Sequence, residues 1–304
     1  MHKSEMALKT VLFYSLVAVT AAFSQSLSQT KLLKDKFTSQ LHTIADTSNC
    51  VVGVAIKDLV TGEQFLINEN EIFPQASAIK IHILAELYRQ AAEKKFSLAD
   101  VVPLLPKFKV GGSGILNSLD NNVSMTLRDY AVLMIVLSDN SATNLLIDKV
   151  GMDNVNASLK KIGAAHTKLQ RVMMDYKAAA EGKENISTPA DVMMVLEKMD
   201  AGEIVNKAAC DDMLSIMRID KDGPLRSGIP PSVSLANKEG DIEGVRCDVG
   251  IVALPDHPYI ICVMTKLLLV DSEGPEIITA VSRAAYNYFE RVADSNEYGR
   301  RIPR

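Results

Sequence analysis

The chain has 304 residues, 47% of them hydrophobic and 23% charged, with a formal net charge of −4. That is enough apolar material for a sizeable core, and it excludes a disordered or collagen-like polypeptide. Lys and Arg are scattered rather than clustered, Trp is absent and aromatic residues make up 5%, so no nucleic-acid partner is expected and base-stacking or sugar-binding aromatic shelves have little to be built from.

The first element differs in kind from the rest. Lys3 and Lys9 precede an apolar run from Val11 to Phe23, which ends in the small-residue stretch Ala21-Ala22-Phe23-Ser24. This pattern predicts a secretory signal peptide over residues 1–24, hence a secreted or periplasmic protein. Its apolar core falls short of the roughly 20 residues that a membrane span requires, so no stable membrane anchor is predicted. Export permits disulfides among Cys50, Cys210, Cys247 and Cys262. Three full pairings are open, as are plain buried thiols, and the spacings match no metal motif. No metal or cofactor is expected.

Leu32, Leu33, Phe37, Leu41 and Ile44 recur at helical spacing. A β-branched run over Cys50 to Lys57, the turn signal Thr61-Gly62 and alternation over Glu63 to Ile67 then predict a hairpin. From Ser77 to Met217 the apolar pattern is helical: Thr126 with Asp129 predicts a cap for a helix reaching Leu137, and Thr188-Pro189 opens another reaching about Met199. Strand character returns at Val233 to Asn237, Cys247 to Ala253 and Tyr259 to Lys266, before a last helix over about Gly274 to Val292. The expected class is α/β (α+β). Residues 31–70 and 218–295 form one subdomain whose sheet is assembled from both ends of the chain, and residues 71–217 form an inserted helical one.

Three short motifs carry chemistry. Ser77-Ala78-Ile79-Lys80 opens a helical segment predicted over Ala78 to Gln90, and residues three apart share a helix face, so the Lys80 amine can approach the Ser77 hydroxyl. A serine hydroxyl needs a neighbouring base to become a nucleophile, and a lysine serves only where desolvation or nearby cations keep it neutral. Ser138-Asp139-Asn140 sits in a turn between two helices, where it is also a good capping sequence. Lys238-Glu239-Gly240 follows a predicted strand. The five His residues sit in unrelated contexts, His82 and His166 are read as structural, and no Gly-x-Ser-x-Gly elbow is present.

Taken in this order, Ser-x-x-Lys, Ser-Asp-Asn and Lys-x-Gly resemble the signature set of class A β-lactamases and penicillin-binding proteins. Phe73-Pro74, the run from Ser138 to Asn144 followed by Leu145-Leu146, Ser187-Thr188-Pro189, and Arg246 before Asp248 are similar to class A as well. The resemblance covers nearly all of residues 31 to 295. It implies an antiparallel sheet flanked by helices and an acyl-enzyme on Ser77, with Lys80 in proton transfer and Ser138 protonating the leaving nitrogen. Lys238 and Asn140 would hold the substrate, and the N–H groups of Ser77 and Asp241 the oxyanion. The substrate is then a β-lactam or a peptidoglycan-like small molecule, bound by an expected monomer.

Two departures stand out. Glu239 replaces the Ser or Thr hydroxyl that helps bind the substrate carboxylate. The loop before Ser187 also lacks the Glu, followed four residues later by Asn, that drives deacylation in class A enzymes. Asp175, Glu181 and Glu184 are the replacement candidates, Asp175 the nearest by position. Without a base the protein acylates and deacylates slowly, as a penicillin-binding or peptidoglycan-peptidase-like protein does.

Overall fold

A computed structural model describes residues 31–296 and 298–302; the signal peptide expected over residues 1–24 lies outside them. Among the described residues, no helix is long and apolar enough to cross a membrane. Helix α1 occupies residues 31–47. It packs Phe37 and Leu41 onto a hairpin of β1 (Val51–Asp58) and β2 (Gln64–Ile67). Strands β7 (Ser234–Ile242), β8 (Val245–Ala253) and β9 (Tyr259–Lys266) complete a five-stranded sheet of order β2-β1-β9-β8-β7. Every pairing in it is antiparallel. Strand β7 continues five residues beyond Asn237, the last predicted strand position before Lys238, so the third motif lies inside β7 and not beyond its end. The β7–β8 register running through Ile242↔Val245 explains this, since the hairpin turns only after the motif.

Each face of the sheet buries a separate core, because alternate residues of a strand point to opposite sides. One face packs on α1 and on α10 (Glu273–Asp294). Phe37, Phe65, Tyr259, Tyr288 and Phe289 form the centre, with Phe37 stacked on Tyr288 at 4.6 Å and Tyr259 on Phe289 at 4.3 Å. Such ring pairs add about 1 kcal/mol each beyond their buried area. Ala55, Val249, Ile260, Cys262 and Met264 face the other way, onto the helical part of the chain. All four cysteines are free thiols, which resolves the pairing left open by the sequence.

The helical part contains α2 (Lys80–Ala92), α3 (Leu127–Val136), α4 (Asn140–Val150), α5 (Met152–Ile162), the short α6 (Tyr176–Ala180), α7 (Pro189–Asp200) and α8 (Lys207–Met217), while the single turn α9 (Pro224–Ser227) packs on α10 in the other core. The expected caps form: the Thr126 hydroxyl accepts from the N–H of Asp129 and that of Thr188 from Asp191. Two pairs of short strands link distant segments: β4 (Val101–Pro103) pairs with β5 (Ser124–Thr126), and β3 (Phe73–Pro74) pairs with β6 (Ile186–Ser187). The second pair ties the end of the loop over residues 164–187 to the segment that leads into Ser77.

Candidate active site

Ser77 lies on a 3-10 turn, Ala76–Ile79, and α2 begins at Lys80. The expected single helix is therefore tightened at its first turn. In 3-10 geometry residues i and i+3 are eclipsed, which sets Lys80 above Ser77 more directly than an α-helix would. Ala76, just before the serine, has φ of 46°, a left-handed conformation that an alanine adopts at a cost. The surroundings hold this turn in place. The Gln75 carbonyl accepts from Ala78 at 2.9 Å, and Gln75 N–H donates to Asn185 O at 2.7 Å. A Cβ on Gly240 would lie 2.4 Å from Gln75 O and 3.1 Å from Ser77 N, so only glycine lets β7 run this close to the nucleophile turn.

Ser138 also has a left-handed backbone, with φ of 52°, and connects α3 to α4. Asp139 caps α4 by accepting from Ala142 N at 2.9 Å, while its other oxygen accepts from Ile115 and Leu116 at 2.7 and 2.8 Å. Fixed in this way, the Ser138 side chain and carbonyl both face Lys80. The Lys80 Nζ lies 2.9 Å from Ser77 Oγ, 3.0 Å from Ser138 Oγ, 2.7 Å from Ser138 O and 3.0 Å from Asn140 Oδ1. The amine is wholly buried. Burial, then the nearby Lys238 ammonium, hold it well below the ordinary lysine range, against the opposing pull of Asp139.

For the neutral amine these four contacts limit how a proton can move. A neutral amine has two N–H donors and one lone pair. The Ser138 carbonyl and the Asn140 amide oxygen can only accept, so they take the two donors. The lone pair is left to the two hydroxyls, at similar distances. This arrangement can remove a proton from Ser77 and return one through Ser138.

Lys238 is buried on β7, its Nζ donating to Glu239 O at 2.9 Å. Burial pushes it down to about 8, with the Glu239 and Asp248 charges working in the other direction. Beside it Asp248 is fully buried and accepts from Leu225 N at 3.0 Å and Asn237 Nδ2 at 2.8 Å; burial raises its carboxyl to about 6. Glu239, its register partner, alternates to the opposite side of β7 from Lys238. It lines a cleft of about 540 Å³ with Gly223, Arg246, Glu276 and Arg283. Asp241 pairs with Arg246 across the hairpin. Sequence reading passed over Lys221, which lies near Glu239 and Asp248 and donates to the carbonyls of Met217 and Ile219 at 2.6 and 3.2 Å; burial lowers it to about 8. The unusual Asp220-Lys221-Asp222 triplet before Gly223-Pro224 was the available signal.

The loop over residues 164–187 commits its acids elsewhere. Asp175 caps α6, accepting from Ala178 N at 3.0 Å. Glu181 pairs with Lys183 at 2.9 Å, and Glu184 with Arg171 at 2.8 Å. Among the described residues none of the three hydrogen-bonds to Ser77, Lys80 or Ser138. Asn185 braces the loop, its Oδ1 accepting from Gln170 and Arg171 at 2.7 and 3.0 Å. Asn144 on α4 grips the loop at Met173, accepting from its N–H at 2.8 Å and donating to its carbonyl at 3.1 Å. Met173 is buried. The next residue, Met174, brings its thioether and the Asn140 amide together at Gly112, where a Cβ would lie 2.9 Å from one and 2.6 Å from the other. The loop thus presents the Met174 thioether, not a carboxylate, at the Asn140 end of the cluster.

The family model described as the β-lactamase enzyme family matches residues 36–289. A β-lactamase of Bacillus amyloliquefaciens is 27% identical over 275 residues, 88% of this chain and 89% of that protein. Among solved structures, PBP-A superposes with a TM-score of 0.78 at 28% identity, covering 84% of this chain and 96% of that one. A β-lactamase from Sphaerobacter thermophilus superposes at 0.75 and 30% identity, covering 82% and 95%. With a serine, a buried lysine and a second serine in one hydrogen-bonded cluster, and with a family match over most of its length, this chain belongs to the β-lactamase enzyme family.

Proposed function

We propose that this chain is an exported serine hydrolase that opens the amide bond of β-lactams through an acyl-enzyme on Ser77. The observation that carries the reading is the buried Lys80 amine within hydrogen-bond distance of both the Ser77 and Ser138 hydroxyls, held well below the ordinary lysine range by burial. Lys80 takes the Ser77 proton as Oγ bonds to the lactam carbonyl carbon, and the N–H groups of Ser77 and Asp241 hold the oxyanion. As the C–N bond breaks, Ser138 gives its proton to the leaving nitrogen and is reprotonated by Lys80. Lys238 steadies Ser138 and attracts the substrate carboxylate, while Asn140 positions the side-chain amide of the substrate.

A second reading concerns release of the acyl group, and Met173 favours it. Hydrolysis needs a water made nucleophilic by a base, yet the loop residue gripped by Asn144 is a methionine and the acids of the loop have local partners. Deacylation is then the slow step. Incubation with a chromogenic lactam is expected to give a burst stoichiometric with enzyme, followed by slow turnover and a mass adduct on Ser77. Ser77→Ala lowers acylation by at least about 10⁴-fold, as for other serine nucleophiles; retained reactivity in that variant refutes the assignment. For export, the amino terminus of protein recovered outside the cytoplasm is expected to follow Ser24.

A further inference from the structure

Behind the nucleophile, on the far side of α2, a second cavity of about 150 Å³ is walled by Ala85, Val155, Leu159 and Val195, with Lys161 and Glu203 also lining it. Its one unusual wall is His82. The ring is almost wholly buried, and burial pushes it down to about 3, so it is neutral. Its Nε2 lies 3.2 Å from the side-chain Nε2 of Gln75. With the Gln75 amide oriented as placed, its nitrogen donates, this ring nitrogen carries the lone pair and the proton sits on Nδ1. Neither Nδ1 nor the Gln75 Oε1 has a hydrogen-bond partner. Because Nε2 is turned to Gln75, which is not part of the wall, the Nδ1 edge is the polar edge left for the cavity. A buried donor left unmatched is costly, and the cost is recovered when an acceptor arrives. Glu86, the other buried polar group there, is already saturated by Arg89, Gln90 and Ser158.

We infer that this cavity is a binding site for a small, neutral, mostly apolar molecule carrying one carbonyl or ether oxygen, which accepts from His82 Nδ1 and whose occupancy is felt at Ser77. The volume is comparable to that of an engineered cavity of roughly 150 Å³ that holds a benzene ring. The path to the nucleophile is short. His82 holds the Gln75 side chain, and the Gln75 main chain carries the bonds to Ala78 and Asn185 that fix the turn bearing Ser77. His82 also follows Lys80 by two residues on α2.

Cyclohexanone, a six-membered ring with one acceptor, and benzene, a ring with none, are the probes. In the full-length protein cyclohexanone is expected to shift the His82 imidazole resonances saturably and to bind roughly fivefold more tightly than benzene, the usual worth of one net hydrogen bond. This arm stands independently of any lactam chemistry. In His82→Leu the preference for the carbonyl disappears while benzene still binds. Ala85→Leu, which fills the cavity from a helical position, abolishes binding of both. At the same saturating concentrations, the acylation rate with a chromogenic lactam changes by about fivefold, the low end of ordinary coupling between two sites. Absence of a saturable shift at His82, a carbonyl preference that survives in His82→Leu, or binding that leaves acylation unchanged each overturns the inference.

Discussion

Lys80, Ser138, Asn140 and Lys238 approach Ser77 from α2, the α3–α4 turn and β7, all held by hydrogen bonds. The loop over residues 164–187 approaches from another direction and is just as firmly held, by Asn144, Asn185 and the Arg171–Glu184 pair. Only the first region carries groups that can move a proton to or from Ser77. The second has the same rigidity, with its acids bound to local partners. On the second reading proposed above, forming an acyl-enzyme and hydrolysing it are separable steps in this molecule.

The largest test of this contrast is Met173→Glu. Asn144 already fixes the backbone of this position from both sides, so the new carboxylate arrives on a preformed support. General-base assistance is worth about 10²- to 10⁴-fold, and single-turnover deacylation is expected to rise by at least the lower figure with acylation little changed. If deacylation stays slow, the loop lacks more than the acid.

A smaller effect probes the proton-moving region by pH. Acylation needs Lys80 neutral and Lys238 charged. The Lys80 condition is lost as pH falls through its lowered value, and the Lys238 condition is lost as pH rises through about 8. The acylation rate should be bell-shaped, down roughly tenfold at one unit above the upper limb. Lys238→Arg keeps its charge at any working pH, so its upper limb should vanish; an unmoved limb assigns it to another group, with Lys221 next in line.

Much of this was legible in the sequence, and the limits have physical causes. Tyr259–Lys266 matches the predicted last strand residue for residue, because a buried β-branched run between turn signals has few alternatives. The three motifs converge as their order implied. Met173 escaped notice because what defines its place is a pair of hydrogen bonds to Asn144, 29 residues away, and no local period encodes such a contact. Counting from Pro189 pointed to Asp175, whose carboxylate accepts from Ala178 N as the cap of α6. The orphan Nδ1 of His82 was equally invisible, since burial of a histidine on an apolar helix looks the same whether or not its ring is satisfied.

Glu239 tests whether the altered third motif weakens the first region. Its carboxylate lies on the cleft side of β7, beside Arg246 and opposite Lys238. Glu239→Thr restores the hydroxyl of the family pattern and should lower KM for a carboxylate-bearing lactam by at most roughly fivefold, the range of a partly exposed charge contact, leaving kcat nearly unchanged. A large rise in kcat would place Glu239 at the reacting atoms instead.

The smallest effect separates cap from base at Asp175. Its carboxylate satisfies the N–H of Ala178 at the start of a five-residue helix, and loss of such a cap costs about 1 kcal/mol. Because α6 is short and exposed, that loss should appear as faster local hydrogen exchange over residues 176–180, with little change in global unfolding. Deacylation by Asp175→Ala should match that of the parent. A fall of 10²-fold or more would mean that Asp175 leaves its cap to reach the acyl-enzyme, and the contrast between the two regions would then describe only the unacylated protein. Measuring exchange and deacylation on the same sample distinguishes these outcomes, because a cap moves the first and a base moves the second.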